Sequence, residues 1–250
     1  MNLAQRIHST LTLRFMKGML SSQRGRAHVL NQVADAEATD EGAIFDRLLA
    51  YVTDPKLRQM IERHQADELR HAQLFLGCME RTGIAPSPVA AHLKLLGRLD
   101  ALAGNVMDKP VRTDEDVMQA YLMLLVIEER AIQQFTAFIA GFDLVDRETS
   151  DVFRTIAKDE ERHLRYCHAI SKRYAPDTAT WARELARFRK LEARAFGENT
   201  AANLQHTFDS GLHAAGPVER MLWRGLTALT SRANRTKTRT VSLDLAAVGS

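Results

Sequence analysis

Hydrophobic residues recur every three to four positions along most of the chain, which is the spacing of amphipathic helices. The pattern breaks at turn-forming residues such as Thr53-Asp54-Pro55, Gly83 and Gly141. The sequence therefore predicts an all-α protein. The predicted helices cover residues 3–20, 27–52, 55–81, 113–140, 147–173, 178–196, 199–214 and 217–233.

One connection is long: residues 84–113 separate two pairs of predicted helices, and residues 88–104 within it again have helical spacing. No segment rich in Pro, Gly or Ser divides the chain into independent domains, so the sequence predicts a single domain over residues 1–250. Its predicted parts are a helical bundle at 27–174, a C-terminal helical extension at 178–233 and a flexible tail at 234–250.

Two segments that lie 92 residues apart carry nearly the same motif. Asp67-Glu68-Leu69-Arg70-His71 corresponds to Asp159-Glu160-Glu161-Arg162-His163, so each segment contains Glu-x-x-His. Upstream, Glu41 aligns with Glu129 once a four-residue slip is allowed in the turn between helices. Each half of the chain is therefore predicted to be a helix with one glutamate, a turn, and a helix with Glu-x-x-His.

The Glu and the His of each motif fall on the apolar face of their predicted helix, beside Phe75 in the first copy and Ile170 in the second. Residues three positions apart lie on one helix face, about 5–6 Å from each other. Six side chains are therefore predicted to point into one bundle: Glu41, Glu68, His71, Glu129, Glu160 and His163. Four buried carboxylates require compensating positive charge, which two divalent cations such as iron or manganese would supply.

Two of these glutamates have a rival in the sequence. Glu128 adjoins Glu129, and Glu37 lies one helical turn before Glu41. The repeat alignment favours Glu129, which follows Leu125 at helical spacing. The competing interpretation of the whole pattern is a set of solvent-facing Glu–His pairs, which two aligned copies make the weaker explanation.

His64 and the two aspartates of the motif have open roles at this stage. His64 lies one turn before Glu68 and is either a third histidine ligand or a core histidine bonded to a neighbour; its repeat partner is Ile156. Asp67 and Asp159 either accept hydrogen bonds from the ligand histidines or face solvent.

These residues resemble the ferritin-like di-iron carboxylate superfamily over about residues 30–174. The resemblance implies a ferritin-like four-helix bundle with one long crossover, here 84–113, and additional N- and C-terminal helices. It also implies two iron ions, with manganese as the alternative. One ion would be held mainly by Glu41 and His71 and the other by Glu129 and His163, with Glu68 and Glu160 as bridges. His64 is similar in position to the third histidine of some arylamine-oxidising di-iron enzymes.

The same resemblance implies an O2-activating oxidase or monooxygenase. The doubled motif is shared with rubrerythrins, but the chain has no rubredoxin-like CxxC pair, and its compact first helix pair looks more like the tRNA-modifying hydroxylases. The implied substrate is a small molecule or a nucleoside-type compound. An external electron donor is expected, because no flavin or nicotinamide motif is visible, and no catalytic residue beyond the metal ligands is assigned. The alternative function is iron handling as a ferroxidase, or peroxide scavenging.

The charge distribution separates the ends of the chain from its middle. The first 32 residues contain five Lys or Arg and no acid, and residues 220–250 contain six and one acid, whereas the whole chain has a formal net charge of only +3. The acidic middle suits a cation-binding centre. The basic ends are either solvated tails or contacts with a partner such as nucleic acid, and residues 178–233 would form a substrate pocket or a homodimer surface.

Composition bears on the compartment. The two cysteines, Cys78 and Cys167, form neither a CxxC motif nor a disulfide framework, which predicts a reducing, cytoplasmic location. No apolar run approaches the roughly 20 residues that a membrane-spanning helix needs. The first 20 residues are basic and amphipathic and are interpreted as a plain first helix, with a transit peptide or a surface helix as alternatives.

Overall fold

The computed structural model of the chain describes residues 3–39, 42–213, 216, 220–223 and 225. Within these residues the chain forms eight α-helices and no β-strand, which confirms the all-α prediction. The helices are α1 (Leu3–Leu20), α2 (Gln23–Thr39), α3 (Gly42–Tyr51), α4 (Pro55–Glu80), α5 (Leu95–Ala103), α6 (Asp114–Phe142), α7 (Arg147–Arg173) and α8 (Thr178–Asp209). A short 3-10 turn, Ala91–Leu93, precedes α5.

The helices that carry the Glu-x-x-His motifs begin at well-defined caps. The carboxylate of Asp54 accepts hydrogen bonds from the backbone N–H groups of Lys56 and Leu57, and Pro55 occupies the first position of α4. Asp146 caps α7 in the same way, through the N–H of Thr149. These caps set where each helix starts and therefore which side chains face the interior.

Two predicted boundaries differ from the structure. The helix predicted over 27–52 is divided into α2 and α3, on either side of residues 40–41, which lie outside the described residues. The stretches predicted at 178–196 and 199–214 are largely one helix, α8, in which Asn199 is buried and donates a hydrogen bond to the carbonyl of Leu93 at 2.8 Å. Of the helix predicted at 217–233 only four residues at 220–223 and Gly225 are described, and the predicted tail at 234–250 lies outside the described part.

Four of the helices pack side by side. α2 packs against α4, α4 against α7, and α7 along α6, while α3 also contacts α4. α1 lies against α2 and α6, and α8 crosses α5 and α6. None of the helices in the described ranges is long and apolar enough to cross a membrane.

The buried apolar side chains form two main clusters along these helices. One cluster contains Phe45, Tyr121 and Ile170, and the other contains Phe75 and Phe153. On α4, α6 and α7 alike, residues of one cluster lie before the Glu and His positions and residues of the other lie after them. The polar residues between the two clusters are therefore enclosed by apolar packing along the helix axes.

Candidate metal centre

Seven acidic and imidazole side chains converge between the two apolar clusters. They form two groups whose donor atoms lie within 4.8 Å of one another, so that each group could hold a metal ion. The His64 group consists of His64, Glu68, Glu128 and His163. The Glu37 group consists of Glu37, Glu68, His71 and Glu160. Glu68 belongs to both groups.

In the His64 group, two imidazoles face shared carboxylates. His64 Nε2 lies 2.9 Å from Glu128 Oε1 and 3.2 Å from Glu68 Oε1. His163 Nδ1 lies 2.9 Å from Glu68 Oε1 and 3.6 Å from Glu128 Oε1. The imidazole rings of His64 and His163 are stacked, with centroids 4.0 Å apart. The ring of Phe45 also packs against His64, with a centroid distance of 4.8 Å. The imidazole of His64 is therefore enclosed by two aromatic rings and two carboxylates.

In the Glu37 group a single imidazole faces three carboxylates. His71 Nδ1 lies 3.3 Å from Glu160 Oε1, 3.4 Å from Glu37 Oε2 and 3.8 Å from Glu68 Oε2. The other oxygen of Glu160, Oε2, lies 2.9 Å from His163 Nδ1. Glu68 and Glu160 thus each present one oxygen toward His71 and the other toward His163.

A layer of aspartate and arginine holds the outer side of these histidines. His71 Nε2 lies 3.3 Å from Asp159 Oδ2, and His163 Nε2 lies 3.3 Å from Asp67 Oδ2. An acceptor at Nε2 leaves the Nδ1 lone pair of a neutral imidazole facing the cluster, which is the arrangement of metal-binding histidines. In the structure, Asp67 and Asp159 therefore contact the histidines, which is the first of the two roles considered for them.

Two arginines connect the same aspartates across the α4–α7 interface. Arg70 and Arg162 each reach both Asp67 and Asp159, with nitrogen–oxygen distances of 2.5–2.7 Å. Burial alone would raise the pKa of Asp159, but its bonds to Arg70, Arg162 and His71 outweigh burial and lower it to about 2. The aspartates therefore remain ionised and able to accept hydrogen bonds from histidine.

The inner carboxylates are electrostatically unequal. Burial, together with the charge of Glu68, raises the pKa of Glu37, and burial together with the charge of Glu160 raises the pKa of Glu128. Burial opposes ionisation of Glu68 as well, but its close contacts with Glu37, His163 and His64 lower its pKa well below the ordinary value. In the metal-free protein, Glu68 therefore keeps its negative charge, whereas Glu37 and Glu128 bind a proton more readily.

The histidines supply the compensating charge when no metal is bound. Burial disfavours the imidazolium of His71, yet its contacts with Glu160, Glu37 and Glu68 raise its pKa to about 12. For His163 the carboxylates again outweigh burial and raise the pKa. A divalent cation that enters the cluster must displace these protons, because a metal ligand is a neutral imidazole.

The donor atoms fit a hard or borderline divalent cation. Oxygen and imidazole nitrogen donors without thiolate suit Fe²⁺ and Mn²⁺. Glu68 Oε1 and His71 Nδ1 are buried and make no well-directed hydrogen bond despite their close neighbours. A buried polar atom without a directed partner is unfavourable, and a cation in each group would satisfy one of these two atoms.

Four of the six residues predicted from the sequence lie in the cluster: Glu68, His71, Glu160 and His163. Glu41 lies outside the described residues, and Glu37, its rival, contacts His71. Glu129 is turned away from the cluster and accepts two hydrogen bonds from Arg189 of α8, at 3.0 and 2.5 Å. This corrects the choice of Glu129 over Glu128: neighbouring residues differ by about 100° around a helix, so only one of them faces the core.

A spacing signal distinguishes the rivals. Glu37 precedes Glu68 by 31 residues and Glu128 precedes Glu160 by 32, whereas Glu41 precedes Glu68 by only 27. Pairing Glu37 with Glu128 thus reduces the slip between the two halves from four residues to one. The nearly equal helix–turn–helix lengths were visible in the sequence and favour the residues that the structure brings together.

Comparisons of the chain with models of protein families, with curated proteins and with solved structures found no match.

Proposed function

We propose that this protein binds two divalent metal ions, with iron as the native metal, and uses them in the O2-dependent oxidation of an organic substrate. Its class would be an oxidase or a monooxygenase. The observation that carries the proposal is the pair of overlapping Glu/His groups that share Glu68 inside an apolar core. Four carboxylates, three of them buried, and three imidazoles form a donor set for two cations, with more acid than an apolar core usually contains.

The proposal extends to the fold. We assign α2, α4, α6 and α7 as a ferritin-like bundle, in which the first two helices and the last two are the repeated halves. Two features support this assignment: each half contributes one Glu from its first helix and Glu-x-x-His from its second, and a long segment connects α4 to α6.

The residues would divide the work between bridging and terminal roles. Glu68 and Glu160 each offer an oxygen to both sides, which suits them to bridge two cations. Glu37 and Glu128 would each bind on one side, together with the nearby histidine. Bound as ferrous ions, the two metals would supply electrons for the reduction of O2.

The surrounding chain would keep the site dry and its geometry fixed. Phe75 and Phe153 pack against each other 4.8 Å apart on one side of the cluster, and Phe45 covers His64 on the other. Exclusion of water strengthens electrostatic interactions and limits side reactions. Because the described residues offer no binding motif for flavin or nicotinamide, the proposal includes an external electron donor.

The test is an anaerobic titration of metal-free protein with Fe²⁺, followed by exposure to O2 in the presence of a chemical reductant. We expect two Fe²⁺ per chain and rapid O2 consumption. Glu68→Gln should lose both. The matched control is Glu62→Gln, which changes an exposed glutamate on the same helix.

Four results would contradict the proposal. Binding of no Fe²⁺, or an equal effect of the two substitutions, would exclude the cluster as a dimetal site. Repeated oxidation of excess Fe²⁺ with accumulation of a mineral product would instead support the ferroxidase alternative. Reaction with peroxide but not with O2 would support peroxide scavenging.

A further inference from the structure

We propose that the two metal positions are unequal, and that the His64 group binds its ion first and more tightly than the Glu37 group. This inference rests on the proposed function, because it presupposes that two divalent cations bind. It goes further in naming the side chain that makes the two positions different and the order in which they fill.

The internal repeat holds at nearly every position of the cluster. The corresponding pairs are Glu37 and Glu128, Asp67 and Asp159, Glu68 and Glu160, Arg70 and Arg162, and His71 and His163. Among the residues of the two metal-binding groups, the repeat fails at His64. His64 on α4 corresponds to Ile156 on α7, and both side chains are fully buried.

This single difference changes the donor atoms. Ile156 has no donor atom and belongs to the apolar cluster with Phe75 and Phe153. His64 instead directs Nε2 at two carboxylates, 2.9 Å from Glu128 and 3.2 Å from Glu68. The His64 group therefore has two imidazole nitrogens, whereas the Glu37 group has one.

The extra imidazole is also well prepared for binding. Its ring is packed between Phe45 and His163, with centroid distances of 4.8 and 4.0 Å. A side chain that is already fixed in place loses little conformational freedom when it binds a ligand. The additional donor should therefore contribute most of its interaction energy to affinity.

Metal preference should follow the same difference. Imidazole donors suit later first-row ions such as Co²⁺ and Zn²⁺, whereas carboxylate oxygen suits Mn²⁺. The extra imidazole should thus raise the affinity of the His64 group most for Co²⁺ and Zn²⁺. When Co²⁺ or Zn²⁺ competes with Mn²⁺, the Glu37 group should hold the larger share of the Mn²⁺. The Glu37 position, with fewer nitrogen donors, is the one expected to exchange its ion more readily.

The experiment is a titration of metal-free protein with Co²⁺, followed by calorimetry and by visible absorption. Losing even an outer partner of a metal ligand typically weakens binding about 10–100-fold, so the first equivalent should bind at least about tenfold more tightly than the second. In a crystal containing one equivalent of Co²⁺, anomalous scattering should place the ion at the His64 group.

Variants identify the cause of the inequality. His64→Ile introduces the residue found at the corresponding position of the repeat, Ile156. It should remove the tight binding step and leave the weaker one. His64→Gln should weaken the tight step to a similar extent. The control is His28→Gln. His28 is a half-buried histidine of α2 whose ring stacks on His206 and which belongs to neither group. This control should keep both steps.

The outcomes separate this inference from the proposed function. Two equal binding steps in the unaltered protein, a first ion at the Glu37 group, or an unchanged tight step in folded His64→Ile would overturn the order of filling but leave the dimetal site intact. Binding of no divalent ion would overturn both proposals. If the His64 variants do not fold, the crystal with one equivalent of Co²⁺ still decides the order.

Discussion

Replacement of Glu128 and Glu129 by Gln, one at a time, should separate metal binding from helix packing. The two residues are adjacent on α6, but Glu128 lies in the His64 group and Glu129 pairs with Arg189 of α8. Glutamine nearly preserves the shape of glutamate and removes its charge. Each variant therefore tests one carboxylate in a different environment.

In the metal-free protein both changes should have small effects on stability, with Glu128→Gln the less destabilising of the two. Burial and the charge of Glu160 raise the pKa of Glu128, so the ionised form is costly in the folded state at neutral pH, and this cost disappears as the pH falls through the folded-state pKa. Glu128→Gln removes that cost at the expense of charged hydrogen bonds, so the free energy of unfolding should stay within about 1 kcal/mol of the original value or rise. Glu129→Gln removes a partly exposed ion pair and should lower it by up to about 1 kcal/mol.

In the presence of Co²⁺ the ranking should reverse. Glu128 is a candidate direct ligand, and a 10–100-fold loss of affinity is typical even for an outer partner. Since each factor of ten corresponds to about 1.4 kcal/mol, Glu128→Gln should lose roughly 1.4–2.8 kcal/mol or more of the metal-dependent stabilisation. Glu129→Gln should keep all of it.

The assay is urea-induced unfolding of the two variants and the unaltered protein, each with and without Co²⁺. The difference between the two conditions measures metal-dependent stabilisation directly. Loss of this stabilisation in Glu129→Gln with retention in Glu128→Gln would show that the assignment of the two residues is inverted. Equal retention in both would show that Glu128 does not bind the ion.

Three further predictions follow from the same geometry. Asp159→Asn removes the negative acceptor beside His71 and should weaken Co²⁺ binding about 10–100-fold in calorimetry. Asp151→Asn, on the exposed face of α7, should not weaken it. Equal affinities in the two variants would show that Asp159 does not orient His71. The pKa of His71 is raised from 6.5 to about 12, so the folded protein keeps a proton on His71 that the unfolded chain loses above pH 6.5. The metal-free protein should therefore be less stable to urea at pH 9 than at pH 6.5. Greater stability at pH 9 would show that His71 is not charged in the folded protein. Phe75 is fully buried, so Phe75→Ala should lower the free energy of unfolding by about 3–5 kcal/mol. Leu69 is exposed, so Leu69→Ala should lower it by less than about 0.5 kcal/mol. Similar values for the two variants would show that Phe75 does not contribute to core packing.

Local sequence features were sufficient to predict most helices, because their signals lie within a few residues of each boundary. Asp54-Pro55 supplies both a cap and a first-turn residue for α4, and α1 matches the range predicted from hydrophobic spacing alone. The continuity of α8 was not predictable in this way. Within the predicted break, the side chain of Asn199 is buried and donates a hydrogen bond to the carbonyl of Leu93, a contact between residues 106 positions apart that the local pattern does not reveal.

The site shows the same division between local and distant information. The doubled Glu-x-x-His motif identifies two glutamates and two histidines, since helix geometry alone places them on one face. The choice between Glu128 and Glu129 depends on which face of α6 is covered by α8, where Arg189 pairs with Glu129. The role of His64 likewise depends on Glu128, which lies 64 positions away and approaches it only in the folded chain.

The cluster also explains how one sequence can fold around a site that is so rich in acid. Without metal, the carboxylates are balanced by raised histidine pKa values, as for His71, and by protonation of carboxylates such as Glu37 and Glu128. Metal entry would therefore be an exchange of protons for metal charge. Two divalent ions would match the charge of four carboxylates, so any later oxidation of the ions would add positive charge that the protein ligands do not balance. Electron transfer at such a site has to be coupled to the movement of protons or anions, which is the property that an O2-reducing centre requires.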